Sequence, residues 1–239
     1  QQILDESLQR APVPLPLPAQ PTLGSPLPFG YRSRIRLHLD PAGQLGFHQA
    51  TSNAVVPIRR CLLATDPINR VLGSLNDSDW PLRLAGKVSA VELIHSPADD
   101  RVVLVLLPSP GATVASDLPA KMIDLGDDVV ILGAHSSPSS AAVLTQHFSP
   151  HGLDYSLTWD HRCFFQVNCR QNAELIEHTL ELLPHLSRTP NVLDLFCGIG
   201  NFSIPLALRG AKVTGVEHNR RSIHWAQENS RRNGLATTR

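Results

Sequence analysis

The chain has 239 residues, no formal net charge, and 42% apolar residues, enough for one large core or two modest ones and too many for a disordered chain. Zero net charge gives no global sign of a polyanionic partner. With no visible signal peptide and no apolar run near the ~18–20 residues that crossing a bilayer takes, no membrane partner is expected.

Charge is unevenly spread. Residues 31–60 carry five arginines against one aspartate, residues 61–160 carry 12 acids against 5 bases, and residues 161–239 carry 10 bases against 6 acids. Such basic, acidic and basic blocks suggest regional specialisation. The cysteines, Cys61, Cys163, Cys169 and Cys197, are widely spaced with no CxxC pair. They point to a reduced, cytoplasmic protein rather than a disulfide framework.

Residues 1–10 read as the end of a helix. Prolines at 12, 14, 16, 18, 21, 26 and 28 then make an extended stretch. Proline fixes φ and lacks a donor, so a stiff linker is expected there, in preference to a ligand for a proline-binding module. From Tyr31 to Leu39 the residues alternate, with Arg32, Arg34, Arg36 and His38 on one face and Ser33, Ile35 and Leu37 on the other. Period two predicts a strand, Asp40-Pro41-Ala42-Gly43 a turn, and Leu45–His48 the returning strand. Further strands are expected at Lys87–Ile94, Arg101–Leu107 and Val129–Leu132, with helical patches between them. Residues 31–160 therefore read as an α+β central domain.

From residue 161 the pattern becomes helix, strand, helix, strand, helix. Asn172 to Leu183 is amphipathic, with Leu175, Ile176, Thr179, Leu180 and Leu183 on one side and Pro184 as its stop. Val192–Phe196 and Lys212–Val216 read as strands, with a helix at about Phe202–Leu208 ended by Gly210. Asn219 caps the last helix, which Asn233-Gly234 ends. This is an α/β pattern, the opening of a doubly wound, Rossmann-like parallel sheet. Two strands are few for a sheet buried on both faces, so a domain truncated at Arg239 is expected.

The turn Asp194-Leu195-Phe196-Cys197-Gly198-Ile199-Gly200-Asn201-Phe202 falls where such sheets hold their ligand. Gly198 and Gly200 let backbone approach closely, the helix start offers free N–H groups, and Glu217, about 20 residues on, stands where a ribose diol would lie. A dinucleotide fingerprint wants a third small residue where Ser203 stands, and Asn201-Phe202 crowds the room a pyrophosphate needs. Asp194 suits a cationic ligand. These residues favour S-adenosylmethionine over NAD, with a ligand-free structural turn as the bland reading.

Phe164-Phe165-Gln166-Val167-Asn168, the turn above and Gly215-Val216-Glu217 together resemble the RNA (uracil-5-)-methyltransferase family. Tyr31-Arg32-Ser33-Arg34-Ile35-Arg36-Leu37, Gly46-Phe47 and Ile58-Arg59-Arg60-Cys61 resemble that family's central domain, so the likeness covers most of residues 31–239. It implies the N-terminal half of a class I methyltransferase sheet that binds S-adenosylmethionine through Gln166, Asp194, Phe196, Gly198, Gly200, Asn201 and Glu217. The implied reaction methylates carbon 5 of a uridine in RNA, with 23S rRNA preferred over tRNA, by a monomeric enzyme. The family's nucleophilic cysteine and its glutamate base lie further downstream, so this chain alone is not expected to turn over. Cys197 reads as a packing residue of the turn.

In ribosomal RNA members a cysteine in the context of Cys61 joins three upstream cysteines on a [4Fe-4S] cluster. Cys61 is therefore either an orphaned cluster ligand or a plain buried cysteine; one thiolate holds no cluster. Arg32, Arg34 and Arg36 either meet RNA phosphate or guard a strand edge, with RNA contact preferred. Three other readings stand beside the leading one: an inert RNA- or cofactor-binding module, a methyltransferase for another substrate, and a nicotinamide enzyme.

Overall fold

The computed structural model describes residues 1–10, 20–112, 125, 128–135, 142–181 and 190–236. The prolines at 12–18, together with Leu183 and Pro184, lie outside them. Helix α1 (Gln2–Gln9) comes first and buries nothing.

Three antiparallel strands follow: β1 (Arg34–Leu39), β2 (Leu45–His48) and β3 (Val55–Pro57). The first turn is closed by Asp40, whose Oδ1 accepts the N–H groups of Ala42 and Gln44 at 2.9 and 2.7 Å. Helix α2 (Asp66–Asn76), with Pro67 in its first turn, and the short α3 (Trp80–Leu84) come next. They precede β4 (Val88–His95), β5 (Val102–Pro108) and β6 (Val129–Gly133). The sheet order is β3-β2-β1-β4-β5-β6, antiparallel except for β5 beside β6.

Alternation sends the side chains of β4 and β5 into two different cores. Val91, Leu93, Leu104 and Leu106 meet Ile35 and Leu37 of β1 and Ile68, Leu72, Leu75 and Trp80 of α2 and α3. Ile94, Val103 and Val105 face the other way, into a second core with residues from the elements after β6. Burial on both faces explains why β5 reads as an unbroken apolar run.

The second core begins with a hairpin, β7 (Leu144–Phe148) and β8 (Tyr155–Trp159), which the sequence reading passed over. Helix α4 (Cys169–Glu181), β9 (Asn191–Leu195), α5 (Ser203–Leu208), β10 (Lys212–Val216) and α6 (Arg220–Arg232) complete it. Strands β9 and β10 are parallel, with Asp194 opposite Gly215 and Leu195 opposite Val216. Asn219 caps α6 as its sequence predicts, accepting from the N–H groups of Arg221 and Ser222.

Three expectations change. The expected boundary at residue 160 falls on the wrong side of the hairpin: Leu144, Phe148, Tyr155, Leu157 and Trp159 pack with Ile176, Ile199 and Trp225. Residues 164–168, where Gln166 would end a strand on the bland reading of that residue, do not make one. Asn168 alone bridges to Arg32, and Phe165 leaves the backbone run to stack on Trp159 at 3.9 Å. Helix α4 starts three residues before Asn172, because the Asn168 side chain accepts the Gln171 N–H at 3.0 Å. Its buried face is Asn172, Ile176 and Leu180, while Leu175 stays 45% exposed.

Candidate nucleoside-binding site

Strand β9 ends at Leu195, and Phe196 turns the chain with φ 62°, leaving its ring 82% exposed above the turn. The Cys197 N–H donates to the Val216 carbonyl at 3.1 Å, so the turn stays pinned to β10. Gly198 and Gly200 take φ 58° and 93°, values that cost a residue with a side chain roughly 1–2 kcal/mol. Nothing lies within 4 Å of the place a Gly198 Cβ would occupy, so the turn offers bare backbone and free space. Ile199, between them, is buried.

Glu217 stands at the tip of β10 with its side chain 9% exposed. Its Oε2 accepts the Gly198 N–H at 3.1 Å, and its Oε1 accepts the His218 and Asn219 N–H groups at 2.9 and 2.8 Å. The Asn219 N–H, then those of Gly198 and His218 and the charge of His218, outweigh the cost of burial and hold this carboxyl below the usual range. It is therefore an anion at neutral pH. Oε2 takes one donor here and keeps a lone pair for another.

The remaining candidates divide. Asp194 accepts the Ser203 hydroxyl at 2.6 Å, so the residue that argued against a dinucleotide ties the strand tip to the first residue of α5. Asn201, expected in the pocket wall, is instead paired with Asn172 of α4, each amide donating to the other at 2.9 Å. This pair fastens the turn to α4. The Gln166 side chain makes no hydrogen bond among the described residues. An open cleft of about 1100 Å³ reaches Cys197, Gly200, Gly215 and Glu217 and runs along Ile223 and Ala226 of α6. Gln166, Asp194, Phe196, Gly198 and Asn201 are not on its walls.

Cys197 is a packing residue, as its sequence context predicts. Burial first, then the charges of Asp194 and Glu217, push its thiol up to about 11. Its Sγ lies 2.8 Å from where a Cβ on Gly215 would sit. Gly215 is thus part of the site, and a glycine inside a strand was the signal for it. The sequence reading also missed the roles of Asn172, Asp160 and Asn229, whose partners lie 29 to 71 residues away in the chain.

The basic strand face is corrected as well. Arg34 donates to Glu92 at 2.7 Å and to the carbonyls of Cys163 and His161 at 3.0 and 2.9 Å, so it joins the two halves of the molecule and is not free for phosphate. Arg36 shares Glu92 at 3.3 Å with its side chain 52% exposed. Arg32 has its Nε buried without a partner among the described residues.

Cys61 belongs to the first core at 9% exposure, and the Asn69 side chain holds its backbone N–H and carbonyl. Among the described residues no three His, Cys, Asp or Glu side chains gather to hold a metal ion. The described residues do not by themselves fit a cluster.

A parallel strand pair, a glycine turn at the first tip and an anionic carboxylate at the second define the nucleoside-binding half of a Rossmann-like methyltransferase fold. A solved tRNA (uracil-54, C5)-methyltransferase of Pyrococcus abyssi, in complex with S-adenosyl-L-homocysteine, shares it. The TM-score is 0.67 at 20% identity, over 89% of this chain and 55% of that one. Residues 142–238 match the tRNA (Uracil-5-)-methyltransferase family profile. The 23S rRNA (uracil(1939)-C(5))-methyltransferase RlmD of Aeromonas hydrophila is 32% identical over 212 residues, 86% of this chain and 47% of its own length. That of Klebsiella pneumoniae is 32% identical over 219 residues, 87% of this chain and 49% of its own. The chain is thus similar to RNA (uracil-5-)-methyltransferases over most of its length, and it spans about half the length of the curated relatives it matches. The profile begins at residue 142, beside the hairpin that opens the second core.

Proposed function

We propose that the turn at residues 194–202 and Glu217 bind S-adenosylmethionine, and that the whole protein uses it to methylate carbon 5 of a uridine in RNA. The observation that carries the reading is the 3.1 Å bond from the Gly198 N–H to the Glu217 carboxylate. It places an anion with a spare lone pair directly beside bare glycine backbone, the arrangement that grips a ribose diol. The cofactor supplies an electrophilic methyl group on a positively charged sulfur. Around it, Glu217 would take the ribose hydroxyls, Asp194 would favour the cationic end, and Gln166 and Phe196 would offer an unpaired amide and a free ring face.

Uridine carbon 5 as the acceptor follows the relatives' names, and 23S rRNA is preferred because the relatives at 32% identity carry that name. Arg36, half exposed although it shares Glu92, supports phosphate contact. We place the reaction in the cytoplasm, which suits four free cysteines. None of the four is offered as the nucleophile. Burial pushes the Cys163, Cys169 and Cys197 thiols up, and Cys61 is packed in the first core.

Calorimetric titration of the full-length protein with S-adenosylhomocysteine, and tritium release from RNA labelled at uridine carbon 5, test the two parts. Heat with the homocysteine compound and faster release from a 23S rRNA transcript than from tRNA are expected. Heat with NADH and none with S-adenosylhomocysteine would overturn the cofactor assignment.

A further inference from the structure

Helix α6 runs antiparallel to β8 and is joined to it by polar rungs. Asn233 pairs with the N–H and carbonyl of Ser156 at 3.2 and 2.8 Å. Asn229 pairs with the N–H and carbonyl of Thr158 at 2.8 and 3.0 Å. Trp225 and Arg221 both donate to the carboxylate of Asp160. The spacing is metric: four helix residues rise about 6 Å and two strand residues about 6.6 Å, so every second strand residue meets every fourth helix residue. Each asparagine amide gives the free edge of β8 the donor and acceptor that another strand would have supplied.

Asn229 does one thing more. It is completely buried, and its Oδ1 accepts from both the N–H and the hydroxyl of Thr158, each at 2.8 Å. Its Nδ2 donates to the Thr158 carbonyl and, at 3.0 Å, to the Ile199 carbonyl. Both lone pairs and both hydrogens are used, so the amide has a single workable orientation. Ile199 sits between the two left-handed glycines of the turn.

We infer that Asn229 is a positioning residue for the cofactor turn: its bond to Ile199, locked by three bonds to Thr158, sets the turn that receives S-adenosylmethionine. This rests on the cofactor reading above. The hairpin ahead of the Rossmann-like half thereby becomes part of the binding site without touching the ligand. Because coupling is reciprocal, ligand on the turn should also quieten β8 and α6.

The test compares Asn229→Asp with Asn233→Ala in the full-length protein. Asn229→Asp keeps the acceptor for the Thr158 N–H and hydroxyl but turns an oxygen toward the Thr158 and Ile199 carbonyls; Asn233→Ala breaks the next rung and leaves the turn alone. We expect Asn229→Asp to raise the Kd for S-adenosylhomocysteine and the KM for S-adenosylmethionine at least tenfold, with binding stoichiometry retained. Asn233→Ala should stay within about twofold of wild type. Equal weakening by both variants, or lost stoichiometry at unchanged Kd, would show a purely structural role and overturn the inference. Should Asn229→Asp not fold, hydrogen exchange on the wild-type protein decides. S-adenosylhomocysteine is expected to protect residues 156–160 and 225–233 together with the turn; protection confined to the turn overturns the coupling. Wild-type protein that takes up no S-adenosylhomocysteine at all refutes the cofactor reading instead.

Discussion

Gly215 shows how tightly single residues are set around the turn. A methyl group there would stand 2.8 Å from Cys197 Sγ and 3.2 Å from its Cβ, inside contact distance of a side chain with little room to move. Overpacking of this kind costs about 1–3 kcal/mol, and the displaced Cys197 would drag Gly198 away from Glu217. Gly215→Ala should therefore lower stability by that amount in urea denaturation and weaken S-adenosylhomocysteine binding. Adding Cys197→Ala should restore both, a coupling that a double-mutant cycle reads directly. At this scale the sequence was informative where chemistry forces the residue type. Gly198, Gly200 and Glu217 stand where expected, because positive φ and an anion at a strand tip narrow the choices. Arg34 and Asn201 have protein partners that the sequence did not announce, because a guanidinium or an amide serves a ligand or a neighbour equally well. Only the positions of Glu92 and Asn172 reveal which.

At the scale of elements, the contact between β8 and α6 depends on a buried charge. Burial alone would raise the Asp160 carboxyl, yet the bonds from Trp225, the Arg162 N–H and Arg221, with the Arg221 charge, hold it low. A group whose folded pKa is depressed contributes stability above its unfolded value of about 4, and that contribution fades as pH falls below it. The thermal midpoint should therefore drop between pH 5 and pH 3. Asp160→Asn should be less stable at pH 7 and show a flatter profile over that interval, measured by circular dichroism. An unchanged slope in the variant would assign the acid sensitivity elsewhere. The hairpin carrying Asp160 escaped the sequence reading for a physical reason. Each strand is only five residues long, and although Tyr155-Ser156-Leu157-Thr158-Trp159 alternates apolar and polar residues, so short a run is fixed as a strand by its pairing with Leu144–Phe148. The strands β9 and β10, followed by capped helices, were readable because local signals agree there.

For the whole molecule, the decisive feature is one sheet serving two cores. Val103 is fully buried in the second core, while its neighbours Val102 and Leu104 are buried in the first. The two halves should unfold as a unit. Val103→Ala, which removes roughly 2 kcal/mol of packing, should shift the fluorescence transitions of Trp80 in the first core and of Trp159 and Trp225 in the second by the same amount. Separate midpoints would show two independent domains. The sequence by itself determined the α/β class, the place of the glycine turn between β9 and α5 and the likeness to RNA (uracil-5-)-methyltransferases, because glycine conformation, helix caps and hydrophobic period act over a few residues. Tertiary structure alone decided that the sheet and the Rossmann-like half share a core, that Arg34 joins them, and that Asn229 and Asn172 hold the turn. Those facts depend on which groups meet across 29 to 127 residues of chain, and a distant partner leaves no periodic trace in the residues that find it.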